Sequence, residues 1–110
     1  MNAAFINALA THGAGLITHI GLMNGSGVEI SGGSYARKAV TWAGAAAVKA
    51  PNADLVFDIP AGATVAEWRG FSASSGGTDY GGKALTSAPY TNAGTYTLLA
   101  ASTNFTITNV

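Results

Sequence analysis

The chain contains no cysteine and few charged residues. Without cysteine it has neither a disulfide framework nor thiolate chemistry. Charged residues make up 9% of its 110 residues, whereas a typical domain has about 25%. Five basic residues balance five acidic ones. A nucleic-acid-binding protein needs a basic face to neutralise phosphates, so we expect no nucleic-acid partner.

Long apolar runs are also missing. No segment approaches the roughly 18 consecutive apolar residues that a transmembrane helix requires. The first five residues, MNAAF, lack the basic region and long apolar core of a secretory signal. We therefore expect no membrane partner and no signal peptide.

The scarcity of charge bears on association. A chain with a formal net charge of zero has little electrostatic repulsion between copies. Its surface must consist largely of Ser, Thr, Asn, Gly and Ala. This favours a surface that is partly covered in an assembly; the alternative is a soluble monomer with a hydroxyl-rich surface.

The pattern of apolar residues predicts an all-β fold. About eight short strands separated by Gly and Pro turns indicate a single-domain β-sandwich or jelly-roll-like barrel over residues 16–110. Residues 1–15 form an N-terminal arm or short helix. The helix is predicted over residues 2–11, with Asn2 as its N-cap and Gly13 as its C-cap.

Local signals locate the individual strands. Asn24-Gly25 predicts a hairpin after the first strand, and Gly81-Gly82 predicts a bulge or a close backbone approach. The longest strand is predicted over residues 64–73, with an aromatic side chain on each face. The alanine-rich residues 44–49 favour a strand or extended loop. The other predicted strands are 16–23, 28–30, 38–42, 54–59, 83–86, 96–100 and 105–107.

Tests for catalytic chemistry fail. His12 and His19 are the only histidines, too few for a zinc site without cysteine. Asp54 and Asp58 lie about 13 Å apart along one strand, too far for paired-carboxylate catalysis. No G-x-S-x-G elbow or phosphate-binding glycine loop occurs. We predict no enzyme, no metal site and no cofactor.

Binding has better support, because amphipathic aromatic and basic side chains are typical of interface anchors. Trp42 and Trp68 are better explained as core residues. The N-terminal segment is a natural arm for binding a neighbouring protein. The candidate partner-binding residues are Phe5, Ile6, Leu9, Tyr35, Arg37, Lys38, Arg69 and Tyr80.

Turn-and-strand motifs across residues 16–99 carry a family resemblance. They are SGGSYARKAVTW, then PAGATV followed by WRGF, and finally GGTDYGGKALT. The chain resembles small phage virion proteins of the capsid decoration, minor capsid or tail-fibre-like type. That resemblance implies a β-sandwich that binds a virion surface, but it supplies no residue-level site.

Two functions follow as expectations from the resemblance. The first is a decoration or minor capsid protein, made in the host cytoplasm and located on the capsid surface. Its partners would be the major capsid protein and further copies of itself, as in a trimer. The alternative is a minor tail or fibre module that binds a host surface carbohydrate through residues 74–78 and 92–94.

Overall fold

The computed structural model describes residues 3–43, 48–100, 103 and 105–106. Within them, one helix precedes nine strands, which confirms the all-β fold with an N-terminal helix. The elements are α1 (Ala3–Leu16), β1 (His19–Met23), β2 (Lys38–Ala39), β3 (Trp42–Ala43), β4 (Val48–Pro51), β5 (Leu55–Ile59), β6 (Thr64–Phe71), β7 (Asp79–Pro89), β8 (Gly94–Leu98) and β9 (Phe105–Thr106).

The strands pair antiparallel in three sheets, with orders β2-β1-β6-β7, β3-β4-β9 and β5-β8. The first and third sheets share one core. Ile20 and Leu22 of β1 and Trp68 of β6 join Phe57 and Ile59 of β5, and each of the five is at most 2% exposed. Two sheets that bury their apolar sides against each other form a β-sandwich.

The strand β5 follows the predicted alternation. Phe57 and Ile59 are buried, and Leu55 is partly buried on the same side. Val56 and Asp58 are exposed. Period-two alternation is therefore a sufficient signal where one sheet face meets the core and the other meets water.

The predicted hairpin after β1 is confirmed. The amide N–H of Asn24 donates to the carbonyl of Val28 at 2.9 Å. The N–H of Gly27 donates to the carbonyl of Asn24 at 3.1 Å, and Gly27 has a φ of 77°. This is a three-residue loop in which glycine supplies the left-handed position, rather than a two-residue Asn-Gly turn. The predicted return strand is reduced to one bridge opposite β1.

The helix is longer than predicted. It does not end near Thr11 with Gly13 as its cap, since α1 runs through Gly13 and Gly15 to Leu16. Ala10 is fully buried, and α1 packs against β4. Tertiary packing thus outweighs the cost of about 1 kcal/mol that each helical glycine carries. As a consequence β1 begins at His19 instead of residue 16; the proposed cap Asn2 lies outside the described residues.

The single strand predicted over residues 38–42 is wrong. It is two short strands in different sheets, β2 beside β1 and β3 beside β4. Between them, Val40 donates to the carbonyl of Thr18 at 3.0 Å, and the carbonyl of Thr41 accepts from Asn52 at 2.9 Å. The chain therefore changes sheet within this segment, as strands do at the corners of sandwiches. Of the ambiguous residues 44–49, Val48 and Lys49 belong to β4, and 44–47 lie outside the described residues.

The longest strand is β7, with 11 residues, rather than β6, with 8. Sequence alternation indicated only residues 83–86 of it. Nine residues of β7 are exposed. Since neither face of the strand is buried over most of its length, its sequence need not alternate between polar and apolar residues. The predicted bulge at Gly81-Gly82 is confirmed, because the register with β6 shifts between the pairs Arg69–Gly82 and Phe71–Asp79.

The predicted division of β6 into two faces is partly wrong. Strict alternation along the predicted strand would place Val65 and Trp68 on opposite faces, but both belong to the shared core. A second register shift lies between Val65 and Glu67. Such an irregularity turns the strand locally, which strict alternation does not anticipate. The expectation of an aromatic on each face is nevertheless confirmed, because Phe71 lies opposite the core face.

Candidate functional site

The outer face of the sheet β2-β1-β6-β7 carries an organised group of charged side chains. On this face Gly21 is paired with Arg69, and His19 is paired with Phe71. Because side chains alternate along a strand, these residues point away from the core that Ile20 enters. The hairpin after β1 and the segment that leads into β2 lie over this face.

Arg37 is the centre of the group. Its Nε donates to Oε2 of Glu29 at 2.9 Å and its Nη2 donates to Oε1 at 2.8 Å. Its Nη1 donates to the carbonyls of Ala73 and Gly76, at 3.1 and 2.8 Å. The guanidinium lies over the ring of Phe71, 3.6 Å from the centroid. A two-pronged ion pair with a cation–π contact fixes a planar guanidinium in one orientation.

Tyr35 completes the environment of Glu29. Its hydroxyl donates to Oε2 of Glu29 at 2.9 Å and accepts the amide N–H of Leu22 at 2.9 Å. Its ring stacks on Phe57 in the core, with centroids 6.4 Å apart. Burial, together with the hydrogen bond to Glu29, raises the pKa of Tyr35 above its ordinary value. Tyr35 therefore connects the polar face to the core as a neutral phenol.

The ionisation of Glu29 reflects two opposing effects. Burial disfavours the charged carboxylate, but hydrogen bonds from Arg37 and Tyr35 outweigh it and hold the pKa of Glu29 below its usual value. Glu29 is thus a carboxylate that accepts hydrogen bonds from two side chains. A general acid would need a raised pKa, so this arrangement suits structural fixation.

A second ion-pair group lies beside the first. Arg69 donates from Nη1 to Oδ2 of Asp79 at 2.9 Å and from Nη2 to Oε1 of Glu67 at 3.1 Å. Oδ1 of Asp79 accepts the N–H of Gly81 at 2.7 Å. Burial opposes charge on Asp79, but the bonds from Gly81 and Arg69 lower its pKa overall. We call the two groups together the charged face; its members are Glu29, Tyr35, Arg37, Glu67, Arg69 and Asp79.

Half of the ten charged residues in the chain belong to the charged face. Each of the five takes part in an ion pair within the molecule, and the side chain of Arg37 is only 10% exposed. The structure places Tyr35, Arg37 and Arg69, all three predicted to bind a partner protein, in intramolecular contacts. Whether they also contact a partner stays a prediction.

The remaining candidates are dispersed. Lys38 is half-buried in β2, and Tyr80 in β7 is 43% exposed. The side chains of Phe5, Ile6 and Leu9 lie outside the part of the chain that the structure describes. Of the predicted binding residues with described side chains, Tyr80 is therefore the most accessible to another protein.

The outer edge of β7 was not found from the sequence. The backbone N–H of Leu22 donates to the hydroxyl of Tyr35, so the backbone N–H and C=O of Leu22 point away from β6. Leu22 and its partner Trp68 therefore form a pair without hydrogen bonds between them. The backbone N–H and C=O of Trp68 point toward β7 instead, where Trp68 pairs with Lys83. Because hydrogen-bonding directions alternate along a strand, the N–H of Ala84, the residue after Lys83, points to the free edge of β7. Since β7 is the terminal strand of its sheet, its edge can accept another strand.

The clefts carry little chemistry. One, of about 470 Å³, lies between α1 and β3, and Lys49 is the only charged residue in its described lining. Trp42 borders it and donates from Nε1 to the carbonyl of Ile17 at 3.0 Å. Trp42 packs against the core and Trp68 lies within it, as predicted. In the described ranges, no three His, Asp or Glu side chains are placed to hold a metal ion, and no helix is long and apolar enough to span a membrane.

Comparison with known proteins yields no relative: no family model, curated protein or solved structure matches the chain.

Proposed function

We propose that the chain is a structural protein of a phage particle, a capsid decoration or minor capsid protein that binds and stabilises the head shell. The observation that carries this proposal is the distribution of charge. Half of the charged residues are engaged in ion pairs with one another on the charged face. The rest of the surface is charge-poor, which suits permanent contact with a neighbouring protein. The motifs of residues 31–42 and 76–86 support the virion assignment by resemblance.

The edge of β7 is the surface we assign to the shell. A strand from a major capsid subunit added there would gain backbone hydrogen bonds with little dependence on charge. Tyr80, exposed on this strand, would supply an aromatic anchor. The action is mechanical: many copies, each in contact with neighbouring subunits, resist expansion of the shell. No catalytic step belongs to this proposal.

A second function is favoured by one cleft of about 370 Å³ beside the charged face. Its lining includes Glu29 and Arg37 and the hydroxyls of Ser31, Ser74 and Ser75. Hydroxyl and charged groups of this kind bind sugar hydroxyls, as a tail or fibre module would require. The aromatic sugar platforms that this alternative calls for are Tyr80 and Tyr90, and neither lines the cleft. Tyr90 is half-buried, and its hydroxyl donates to the carbonyl of Thr95 at 2.7 Å. The cleft therefore lacks those aromatic platforms, and the head protein is the better proposal.

The test is to locate and count the chain in purified particles of the phage that encodes it. Cryo-electron microscopy and quantitative mass spectrometry together give position and copy number. We expect hundreds of copies at symmetric positions bridging capsid subunits. A few to tens of copies confined to the tail would overturn the head assignment in favour of the tail module. Absence from the particle would overturn both.

A further inference from the structure

We propose that Asn24 is a site of spontaneous deamidation, activated by the backbone of its own hairpin loop. The chain contains one Asn-Gly pair, and it lies in this loop. The inference does not depend on the proposed function.

The side-chain carbonyl of Asn24 is polarised by two backbone donors. Its Oδ1 accepts the N–H of Ser26 at 2.8 Å and the N–H of Val28 at 3.1 Å. Backbone donors 2.7–3.1 Å from a developing oxyanion stabilise the tetrahedral intermediate of acyl transfer. The loop therefore holds two N–H donors at the oxygen on which negative charge develops when Cγ is attacked.

The nucleophile is the backbone nitrogen of Gly25, the next residue along the chain. A β-carbon built at Gly25 would have no atom within 4 Å, so the space around it is open. Glycine has the largest accessible range of φ and ψ, which lets its nitrogen approach Cγ of Asn24. Gly25 and Ser26 are both exposed, so water reaches the reacting atoms.

The reaction balances with water as the only co-reactant. Hydroxide removes the proton from the nitrogen of Gly25, and that nitrogen bonds to Cγ of Asn24. The bond from Cγ to Nδ2 breaks, and Nδ2 leaves as ammonia with a proton from water. Water then opens the five-membered imide at either carbonyl and gives aspartate or isoaspartate. No atom is oxidised or reduced.

The isoaspartate product would disturb the charged face. Its backbone passes through Cγ, so the carbonyl that held the N–H groups of Ser26 and Val28 is no longer a side-chain acceptor. Glu29 follows directly and is positioned by its bridge to Met23. Loss of that bridge releases the carboxylate that binds Arg37. Deamidation also gives a formally neutral chain one negative charge.

Two other asparagines serve as internal references. Asn52 and Asn92 are exposed, whereas Asn24 is half-buried, and each of the two is followed by alanine. Neither side-chain oxygen is held by two backbone donors in the described structure. They share the solvent and temperature of Asn24 but lack its loop.

The experiment incubates the full chain in mildly alkaline buffer and follows each asparagine by peptide mapping. Isoaspartate is identified by fragmentation and by enzymatic methylation. We expect conversion at Asn24 to exceed that at Asn52 and Asn92 several-fold, and to be at least as fast in the folded chain as in urea. The variant Gly25→Ala should slow it several-fold without unfolding the protein.

Two results would overturn the proposal. One is equal conversion at all three asparagines, which would mean that the Asn-Gly loop has no special reactivity. The other is slower conversion in the folded chain than in urea, which would mean that the hairpin protects Asn24. Thermal unfolding of Gly25→Ala, followed by circular dichroism, confirms that the variant is folded when its conversion at Asn24 is compared with that of the parent chain.

Discussion

At the scale of single residues, the charged face depends on the absence of a side chain at Gly21. A β-carbon there would lie 2.7 Å from Oε2 of Glu29, 2.9 Å from Cε2 of Phe71 and 3.1 Å from the hydroxyl of Tyr35. Gly21 has an ordinary strand conformation, so the requirement is for space and not for backbone freedom. Glycine in this strand thus makes room for an ion pair above the sheet.

We predict that Gly21→Ala destabilises the protein by about 1–3 kcal/mol, the usual cost of overpacking. The methyl group must displace Glu29 or the ring of Phe71. Urea unfolding followed by tryptophan fluorescence measures the effect. Gly25→Ala is the matched control, because its methyl group meets nothing within 4 Å. Equal stabilities for the two variants would show that the network adapts freely to a methyl group.

Replacement of Arg37 by lysine should also be costly. Lysine keeps the charge but loses the paired bonds to Glu29 and the planar contact with Phe71. We predict a loss of about 1.5–3 kcal/mol in the free energy of unfolding, since hydrogen bonds to charged groups are worth this much. Arg69→Lys is the comparison, and it should cost less because Arg69 is more exposed. A larger loss for Arg69→Lys would reverse our ranking of the two ion-pair groups.

The lowered pKa of Glu29 predicts acid sensitivity. The folded-state pKa lies below the usual 4.5, so the unfolded state takes up a proton first as pH falls. The stabilising contribution is present above about pH 4.5 and is lost as pH falls through the folded-state pKa. Chemical unfolding at a series of pH values should show this decline. Glu29→Gln should reduce the decline of unfolding free energy with falling pH. Asp58→Asn, outside the charged face, should leave this decline unchanged. An unchanged profile in Glu29→Gln would exclude Glu29 as its cause.

At the scale of elements, β7 is an exposed edge strand with features that limit unspecific pairing. A long free edge invites pairing with any available strand, and proteins limit this with bulges, lysine and proline. β7 has two register shifts against β6, carries Lys83 and ends at Pro89. Its regular stretch is short and includes Ala84. These features favour pairing with one specific strand and disfavour aggregation through the edge.

The variant Ala84→Pro tests the role of this edge. The N–H that proline removes points away from β6, so the ladder within the sheet stays intact. We expect a thermal unfolding midpoint within a few degrees of the parent and a clear loss of incorporation into particles. Ala61→Pro is the control, because it places proline at an exposed turn position that favours it. Normal incorporation of Ala84→Pro would exclude β7 as the docking edge.

At the scale of the whole molecule, the low charge governs colloidal behaviour. The sequence has an isoelectric point near 6.7, and repulsion between copies is smallest there. We predict that self-association, measured by light scattering over a concentration series, is strongest near this pH. The double variant Asn52→Lys/Asn92→Lys adds two positive charges at exposed loops and should reduce it. A monomer at all concentrations near the isoelectric point would contradict the expectation of homo-oligomers.

Much of the architecture follows from local sequence signals. The alternation in residues 55–59 places β5, and Asn24 with its glycines marks the hairpin. The paired glycines at 81–82 mark the bulge. Each of these signals is read within a few residues, because it depends on the strand period or on the φ angles that glycine permits. The length of α1 and the division of residues 38–42 could not be obtained this way, since packing against β4 and pairing in two sheets decide them.

The class of fold, the absence of thiol chemistry and the small number of charges follow from the amino-acid sequence alone. The pairing of those charges, in contrast, depends on the three-dimensional arrangement of the strands. Arg37 meets the carbonyls of Ala73 and Gly76, 36 and 39 residues further along the chain, because sheet register brings the loop after β6 over the hairpin. The free edge of β7 likewise exists because no described strand follows it in the sheet. Both are consequences of long-range strand pairing, which no local pattern of residue types encodes.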